Sequence, residues 1–387
     1  MSRQPGTPSL LRRLNDRAAL ELLLDSGPLT RTRVGELTGL SKVTASQLLT
    51  RLQDRGLVHV VGATEGGRGP NAELYAVVPG AGFGIGLHVE PDRVATAVVD
   101  LAGDVLADTT VDPRAAADPV AVVHAAVTDV LSRAKVPRSR VGAVVLGMPG
   151  LVDPASGDLR FAFDLPGWHE GVREALRKDL RSPVRIENDV NLAAVAEQTG
   201  GAAAGSDSFA LMWVGRGLGL AVVLDGRLHR GTSGGAGEIG YLPVPGVPLP
   251  KGVERPRRTG FQALVGAEAV RSLARAHGVR TGSAAACVER ATTRGSERDE
   301  EFLTELAGRL ATGVASVCTI VDPGLVVLSG EIAEAGGSGL AARVDTALRS
   351  ISPNATRVVV GEVGAQAVLR GALATARDMA REELFAG

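Results

Sequence analysis

The sequence predicts an α/β protein in which an N-terminal winged helix-turn-helix domain precedes a larger domain of two α/β lobes. Two short helical patterns joined by a glycine-containing turn occupy residues 30–56, and two strand patterns with a glycine-rich tip follow them. From residue 83, strand patterns alternate with helical ones, and 387 residues exceed what one hydrophobic core usually holds. We place the domains at 1–79 and 83–387, with a first lobe at about 83–189 plus the C-terminal helix and a second lobe at about 190–372.

Residues 30–56 carry the capping signals of two consecutive helices. Thr30 is a preferred N-cap residue, and Gly39 stands where a left-handed C-cap ends the first helix. Val34 and Leu37 give that helix an apolar stripe, and Ser41 caps the next helix. We therefore predict a helix-turn-helix that packs against an upstream helix. The side chains expected to face inward are Leu10, Leu14, Ala18, Leu22 and Leu23 upstream, and Val43, Leu48, Leu49 and Leu52 in the second helix.

The opposite face of the second helix carries side chains suited to DNA. Hydroxyl and amide groups hydrogen-bond to base edges, while lysine and arginine bind phosphates. A recognition helix with such a face lies in the major groove. The predicted DNA contacts on this helix are Ser41, Lys42, Thr44, Ser46, Gln47 and Arg51.

Two strand patterns, 57–61 and 72–78, follow the helices and enclose a glycine-rich tip. Arg68 lies between glycines in this tip, on backbone narrow enough to enter a minor groove, where arginine is favoured electrostatically. The segment is therefore predicted to be a wing, with Arg68 as a further DNA contact. The alternatives are a helical hairpin used only for packing and a winged module that binds protein.

The charge distribution agrees with a DNA-binding N-terminus. The chain has 42 basic and 43 acidic residues, but residues 1–80 carry 10 against 7, and the remainder carries 32 against 36. This basic excess is small, so tight DNA binding needs more than one copy of the chain. Cys287 and Cys318 have no partner at metal-ligand or redox spacing, and no apolar run is long enough for a membrane span. We expect a cytoplasmic homodimer or homotetramer that does not contact a membrane.

Residues 78–82 join the domains through a short, turn-rich segment that restricts their relative movement. After it, strand patterns predict a three-stranded meander, and Asp225-Gly226 is a hairpin-turn signal in the second lobe. The predicted strands are 83–89, 94–101, 104–110, 141–146, 184–186, 209–214, 220–224, 227–228, 325–328 and 358–360, with helices at 119–134, 172–180, 190–204 and from 365 onward.

Polar residues stand at places where α/β proteins bind ligands. Glu187-Asn188-Asp189 lies between a strand and a helix, and Gly147-Met148-Pro149-Gly150 follows another strand. The segment from Gly234 to Tyr241 brings flexible backbone together with one carboxylate, Glu238. Carboxylates and amides suit a pyranose, because its hydroxyls both donate and accept hydrogen bonds. Two plainer interpretations stay open: Asp189 only caps the following helix, and Glu238 is a solvated loop carboxylate.

Taken together, these motifs resemble the ROK family, which contains repressors and sugar kinases built on an actin-like two-lobed fold. The resemblance covers residues 83–387 and rests also on Leu224-Asp225-Gly226 and on Gly235-Ala236-Gly237-Glu238-Ile239-Gly240. A winged helix-turn-helix ahead of such a domain is similar to the repressor branch. By this resemblance the sugar contacts are Asn188, Asp189 and Glu238.

The chain differs from the family's kinases at the phosphate-binding loops. Kinase members open with Asp-x-Gly-Gly-Thr, whereas the equivalent stretch here is His88-Val89-Glu90-Pro91-Asp92. Its carboxylates repel a polyphosphate, and its proline offers no amide hydrogen. Arg216 replaces the threonine of the second loop, and Ser329-Gly330-Glu331 interrupts the glycine pair near the adenosine site. We therefore predict no ATP binding and no catalytic residue, since Asp189 as a base would lack a phosphoryl donor.

A second difference concerns the zinc site that the resemblance implies. Members usually have a histidine after the Gly-Glu motif and a Cys-x-Cys-Gly-x-x-x-Cys run, whereas this chain has Tyr241 and no cysteine or histidine in 242–261. Because four-coordinate zinc lacks its ligands, we predict no zinc and no other cofactor. Tyr241 and Asp164, which stands where the family usually has a sugar-binding asparagine, are predicted sugar contacts of altered specificity.

The sequence therefore predicts a regulator that binds a palindromic double-stranded DNA operator and represses genes of carbohydrate uptake or catabolism. A sugar or sugar derivative in the inter-lobe cleft is the expected effector, and the short joint transmits closure of the lobes to the DNA-binding helices. Two alternatives stay open. One is a sugar kinase with an added DNA-binding module, and the other is a regulator that binds DNA without any ligand.

Overall fold

The computed structural model describes residues 8–64, 71–115, 118–162, 165, 167–251, 258–280 and 282–386. In the N-terminal part, helices and a small antiparallel sheet form a winged helix-turn-helix. Its helices are α1 (Pro8–Ser26), α2 (Arg31–Thr38) and α3 (Lys42–Asp54), and its strands are β1 (Leu29–Thr30), β2 (Val58–Ala63) and β3 (Glu73–Val77). The sheet order is β1-β3-β2, so β3 pairs with both neighbours.

The helix ends predicted around the turn are confirmed. Thr30 Oγ1 accepts a hydrogen bond from the Arg33 amide at 3.2 Å, and Ser41 Oγ accepts one from the Thr44 amide at 3.2 Å. Gly39 has a left-handed φ of 71°, a conformation that a β-carbon disfavours. Local side-chain and backbone chemistry therefore fixes the geometry of the turn.

The inward faces of α1, α2 and α3 differ from the prediction, which was wrong for several side chains. Leu14, Leu37 and Val43 are exposed, Val43 to 67%. Ala45 takes the inner position expected for Val43, because residue 45 and not residue 43 stands at helical spacing from Leu48. Buried side chains of these helices include Asp16, Ala19, Leu20, Leu23, Val34, Ala45, Leu48, Leu49 and Leu52.

The first lobe is a mixed sheet covered by helices. Its elements are β4 (Phe83–Val89), β5 (Val94–Asp100), β6 (Val105–Val111), α4 (Pro119–Ala134), β7 (Val141–Met148), the short hairpin β8 (Leu151–Val152) and β9 (Leu159–Phe161), α5 (Val172–Leu180) and β10 (Val184–Asn188). The sheet order is β10-β7-β4-β5-β6, with β4 parallel to β7 and antiparallel to β5. The carboxyl ends of β4, β7 and β10 therefore meet at one edge.

The second lobe contains a similar sheet and most of the remaining helices. Its elements are α6 (Asp189–Gly200), β11 (Phe209–Val214), β12 (Leu218–Leu224), β13 (Arg227–Leu228), α7 (Gln262–Val265), α8 (Ala267–Ala276), α9 (Ala284–Arg294), α10 (Glu297–Val321), β14 (Leu325–Ser329), α11 (Glu331–Ile351) and β15 (Arg357–Val360). The last helix, α12 (Ala367–Ala386), packs on the sheet of the first lobe. The sheet order is β13-β12-β11-β14-β15. The predicted hairpin turn is confirmed, with φ of 50° at Asp225 and 72° at Gly226.

Helix α12 connects the lobes with the N-terminal domain. It packs against β4, β7 and α6, and its last turns also contact α1. Ala380 and Phe385 belong to the same hydrophobic core as Leu20 and Leu49, together with Leu101. The hydrophobic core of the N-terminal domain therefore includes side chains of α12. No helix in the described ranges combines the length and apolar character that crossing a membrane requires.

Candidate functional sites

The outer face of α3 carries side chains predicted to contact DNA. Lys42, Thr44 and Gln47 are exposed, and Ser46 is half-buried. The Ser41 hydroxyl caps the helix and lies 2.8 Å from Thr44 Oγ1. Exposed Val43, which the sequence analysis assigned to the core, adds an apolar group of the kind that contacts a thymine methyl. The surface has the mixed polar and apolar character of a major-groove helix, and its contact with DNA stays a prediction.

Arg51 has a partner inside the domain. Its Nε donates to Asp16 Oδ2 at 3.1 Å, and its Nη2 donates to the other carboxylate oxygen. Asp16, on α1, is 5% exposed, and Arg55 Nη1 lies 3.9 Å from Asp16 Oδ2. This pairing opposes the phosphate contact predicted for Arg51, because the guanidinium would have to leave a buried carboxylate. Arg51 joins α3 to α1, and its contact with DNA stays a prediction.

The wing has the predicted hairpin, with strand ends shifted by one or two residues. Strands β2 and β3 are antiparallel, and their register shifts between Val60 and Gly62. Two predicted contact residues, Arg68 at the wing tip and Asp164 in the first lobe, lie outside the described residues.

A cavity of about 380 Å³ lies between the lobes. Its size falls in the range of small-molecule sites. Four of the predicted sugar contacts, Asn188, Asp189, Glu238 and Tyr241, line it together, although they come from separate segments. The edge where β4, β7 and β10 end forms one wall, and the glycine-rich segment after β13 forms another. Polar and aromatic side chains of the cleft that sequence reasoning did not assign to it include Arg93, Asn191, Trp213, Gln262 and Glu334.

Asn188 and Asp189 begin α6 at the cleft. Asn188 Oδ1 accepts from the amides of Val190 and Asn191 at 2.9 and 3.2 Å, and its Nδ2 donates to the Gly150 carbonyl at 3.1 Å. Asp189 Oδ1 accepts from the Val190 amide at 2.9 Å. Asn188 is therefore the helix cap, a role that the sequence analysis considered for Asp189. The oxygen of Asn188 is committed to α6, which leaves part of its amide NH₂ group for a ligand.

Glu187 and Arg230 form an ion pair between the lobes. Glu187 ends β10 and is 4% exposed, and its Oε2 accepts from Arg230 Nε at 2.8 Å and Nη2 at 2.6 Å. Its Oε1 accepts from Asn191 Nδ2 at 2.9 Å. The Arg230 carbonyl accepts from the Ala236 amide at 3.2 Å, in the segment that carries Glu238. Sequence reasoning missed this pair because its members are 43 residues apart.

The stretch that replaces the kinases' first phosphate loop is filled by side chains. His88 is 8% exposed, and burial lowers its pKa to about 4. Its Nδ1 lies 3.8 Å from Glu90 Oε2, which also accepts a hydrogen bond from Arg93. In the motif comparison, the neutral imidazole of His88 therefore takes the place of the kinases' aspartate, and the paired carboxylate of Glu90 takes the place of their first glycine.

Two carboxylates at the start of α11 face the same cavity. Glu331 Oε1 accepts from the Arg216 amide at 2.5 Å, so the side chain reaches the turn between β11 and β12. Burial raises the pKa of Glu334, and the Oε1 atom of Glu334 has no hydrogen-bond partner in the structure. Both residues follow the carboxyl end of β14, which is the signal that could have assigned them to the cleft.

The residues near Tyr241 do not fit a structural zinc ion. Tyr241 ends a short helical turn, Ile239–Tyr241, and lines the cavity. Residues 252–257 lie outside the described residues, but the whole sequence of 242–261 contains no thiol or imidazole. Zinc sites of this kind need such ligands.

A winged helix-turn-helix fused to a two-lobed domain with a polar cleft defines a class of proteins that joins a DNA-binding module to a ligand-binding one. A family model described as the ROK family matches residues 84–379, and one described as the MarR family matches residues 14–69. The first match spans most of the chain. The protein belongs to the ROK family.

Named relatives include repressors. The xylose repressor of Bacillus subtilis is 26% identical over 246 residues, which cover 61% of this chain and 62% of that protein. The N-acetylglucosamine repressor of Escherichia coli is 27% identical over 247 residues, covering 62% and 60%. The chain thus spans less than two thirds of the length of these relatives.

Solved structures show the same fold. A ROK family transcriptional regulator described as a homologue of the Escherichia coli MLC protein superposes over 97% of this chain and 98% of its own, with a TM-score of 0.79 and 20% identity. A ROK hexokinase from Thermus thermophilus superposes over 76% of this chain and 97% of its own, with a TM-score of 0.63 and 30% identity. The fold therefore occurs in both a regulator and a kinase.

Proposed function

We propose that the protein is a sugar-responsive transcriptional repressor of carbohydrate uptake or catabolism genes, which binds a palindromic operator as a homodimer or homotetramer. The observation that carries the proposal is the exposed polar face of α3 in the same chain as a ROK cleft lined by Asp189 and Glu238. Two relatives are named xylose repressor and N-acetylglucosamine repressor, and these names support a sugar as the effector class.

Contacts along the chain support coupling between the cleft and the DNA-binding surface. Helix α6 begins at the cleft with Asp189 and packs against α12. At the other end of α12, the Leu384 carbonyl accepts a hydrogen bond of 2.9 Å from Arg55, which caps α3. A sugar that favours one closure of the lobes thus shifts α3 through α12 as well as through the joint at 78–82. In a dimer, this shift changes the spacing of the two α3 helices.

The alternative of a sugar kinase with a DNA-binding module draws on the likeness to the Thermus thermophilus hexokinase. The Glu90-Pro91-Asp92 stretch and the contact of Glu331 with the Arg216 amide oppose it, because a nucleotide needs backbone amides and no nearby carboxylates. We therefore propose that the protein binds neither ATP nor zinc. A coupled assay of ADP release with common hexoses tests whether the protein is a kinase. Robust turnover would contradict the proposal that it is a regulator without ATP binding.

The function is tested by selecting genomic fragments that bind the purified protein and then titrating sugars into a mobility-shift assay. At least one sugar should change the affinity for the selected fragment. Asp189→Ala should keep DNA binding and lose the response to sugar, since Asp189 lines the cleft and lies far from α3 in the chain. A sugar that binds by calorimetry without changing DNA affinity would refute the coupling. DNA binding that no sugar alters and no sugar binding at all would favour the ligand-independent regulator.

A further inference from the structure

The charge of the cleft lining indicates which chemical class of sugar it binds, an inference that rests on the function proposed above. The basic side chains of the lining are His88, Arg93 and Arg216, and no lysine is among its described residues. Burial keeps His88 neutral, and Arg93 already donates to Glu90. Arg216 is the other cation of the lining, and six carboxylates outnumber it, so the lining repels an anion more strongly than it attracts one. The six carboxylates of the lining are Glu90, Asp92, Asp189, Glu238, Glu331 and Glu334.

Helix N-termini are common phosphate sites, and at this cleft the N-termini of α6 and α11 already have side-chain oxygens of the chain nearby. At α6, the amides of Val190 and Asn191 are bonded to Asn188 Oδ1 at 2.9 and 3.2 Å. Helix α11 begins with Glu331 and has Glu334 in the same turn, so the positive end of its dipole already faces two carboxylates. An anion at either of these N-termini would therefore meet a side-chain oxygen of the chain itself.

The glycine-containing turn between β11 and β12 also places backbone amides at the cleft. The Arg216 amide donates to Glu331 Oε1 at 2.5 Å. The carboxylate lies so close to the turn that a β-carbon on Gly215 would be 2.1 Å from Glu331 Oε2, so this contact requires the glycine. Glu331 therefore occupies the position that a phosphate oxygen would need.

We propose that the cleft binds an unphosphorylated sugar and that Glu331 is the residue that excludes phosphate esters. An ester would have to displace Glu331 from the Arg216 amide, and its charge would then lie among the remaining carboxylates. A neutral sugar meets neither obstacle, because its hydroxyls donate hydrogen bonds to carboxylates. The protein thus senses a sugar before any kinase has acted on it.

Calorimetric titration of the full chain with glucose, xylose, N-acetylglucosamine and their terminal phosphate esters tests the proposal. At least one free sugar should bind, and its ester should bind at least about tenfold more weakly. Glu331→Ala frees the Arg216 amide and removes a charge, so the ratio of ester affinity to free-sugar affinity should rise about tenfold. Glu331→Gln, which keeps an acceptor on that amide, should give a smaller gain. Glu289→Gln, at an exposed carboxylate on α9, is the matched control and should change neither affinity.

Each outcome supports or overturns the proposal. An ester that binds the native protein as tightly as the free sugar overturns it, and so does an unchanged ratio of the two affinities in Glu331→Ala whose circular dichroism matches the native protein. If an ester alone alters DNA binding, this inference fails and the sugar-responsive regulator stands. If neither sugar nor ester binds, both fail together.

Discussion

Replacing Arg51 by methionine distinguishes an internal structural role from contact with DNA. Methionine keeps much of the side chain's apolar length but removes the two hydrogen bonds to Asp16. The Asp16 carboxylate would then stay buried, with Arg55 Nη1 at 3.9 Å as its nearest charged partner. We expect the loss of this pair to loosen the packing of α1 against α3.

The size of the effect follows from the burial of the two partners. Removing one member of a fully buried ion pair costs about 3–5 kcal/mol. Here the Arg51 side chain is 37% exposed and Arg55 remains nearby, so we expect about 2 kcal/mol. That value corresponds to an increase of about 30-fold in the opening constant of α3. Asp16→Asn combined with Arg51→Met should recover at least about 1 kcal/mol, because no buried charge is left.

Hydrogen–deuterium exchange of peptides from α1 and α3 measures the opening directly. Arg17→Met is the matched control on α1, since the Arg17–Glu21 pair is exposed and should contribute less than about 1 kcal/mol. A different result is that Arg51→Met leaves hydrogen exchange unchanged but weakens DNA binding and makes it less dependent on salt. That result would refute the structural role of Arg51 and support its contact with a DNA phosphate. Faster exchange that the double variant does not reduce would show that Asp16 is not the partner that matters.

Three other measurements test the surfaces and the cleft. Lys42→Ala should weaken binding to all DNA sequences and lower the slope of log affinity against log salt concentration by about one. Gln47→Ala should instead relax the preference for particular bases. Mobility shifts at several salt concentrations distinguish the two results. Arg230→Met leaves the Glu187 carboxylate buried without its cationic partner, so calorimetry should show a melting temperature about 5 °C lower. An unchanged melting temperature would show that the pair does not stabilise the contact between the lobes. His88 has a pKa of about 4 in the folded protein against 6.5 ordinarily, so the unfolded state binds more protons between these values. The free energy of unfolding should therefore fall by up to about 3 kcal/mol as pH drops through that window, and His88→Asn should remove this fall in urea titrations.

Features set by neighbouring residues were predictable from the sequence. Thr30, Gly39 and Ser41 fix the turn between α2 and α3 through contacts that span at most four residues. Asp225-Gly226 determines its hairpin turn in the same way. The residues alone predicted a ligand site at the strand end before Asn188, where α/β sheets bind ligands. That Asn188 and Glu238 share one cavity was implied by the resemblance to the ROK family.

Features that depend on distant partners were not predictable from the same signals. The partners of Arg51 and of Glu187 lie 35 and 43 residues away and belong to no motif. The inward face of α3 was misplaced at Val43, because an apolar side chain suits a DNA surface as well as a core. Periodicity alone does not separate these two uses. The filling of the glycine-containing turn by Glu331 also required the structure, since residues 216 and 331 meet only after folding.

The packing of α12 supports the proposed coupling between a ligand in the cleft and the N-terminal domain. A β-carbon on Gly371 would lie 1.9 Å from the Leu192 carbonyl oxygen, so α12 and α6 are in contact at the level of their backbones. Contacts of this kind contain no flexible side chain that could absorb a small displacement, and packed interiors transmit strain. The other end of α12 supplies Ala380 and Phe385 to the core of the DNA-binding domain. Under the proposed coupling, movement of α6 would displace part of that core itself, so the joint at 78–82 need not be rigid.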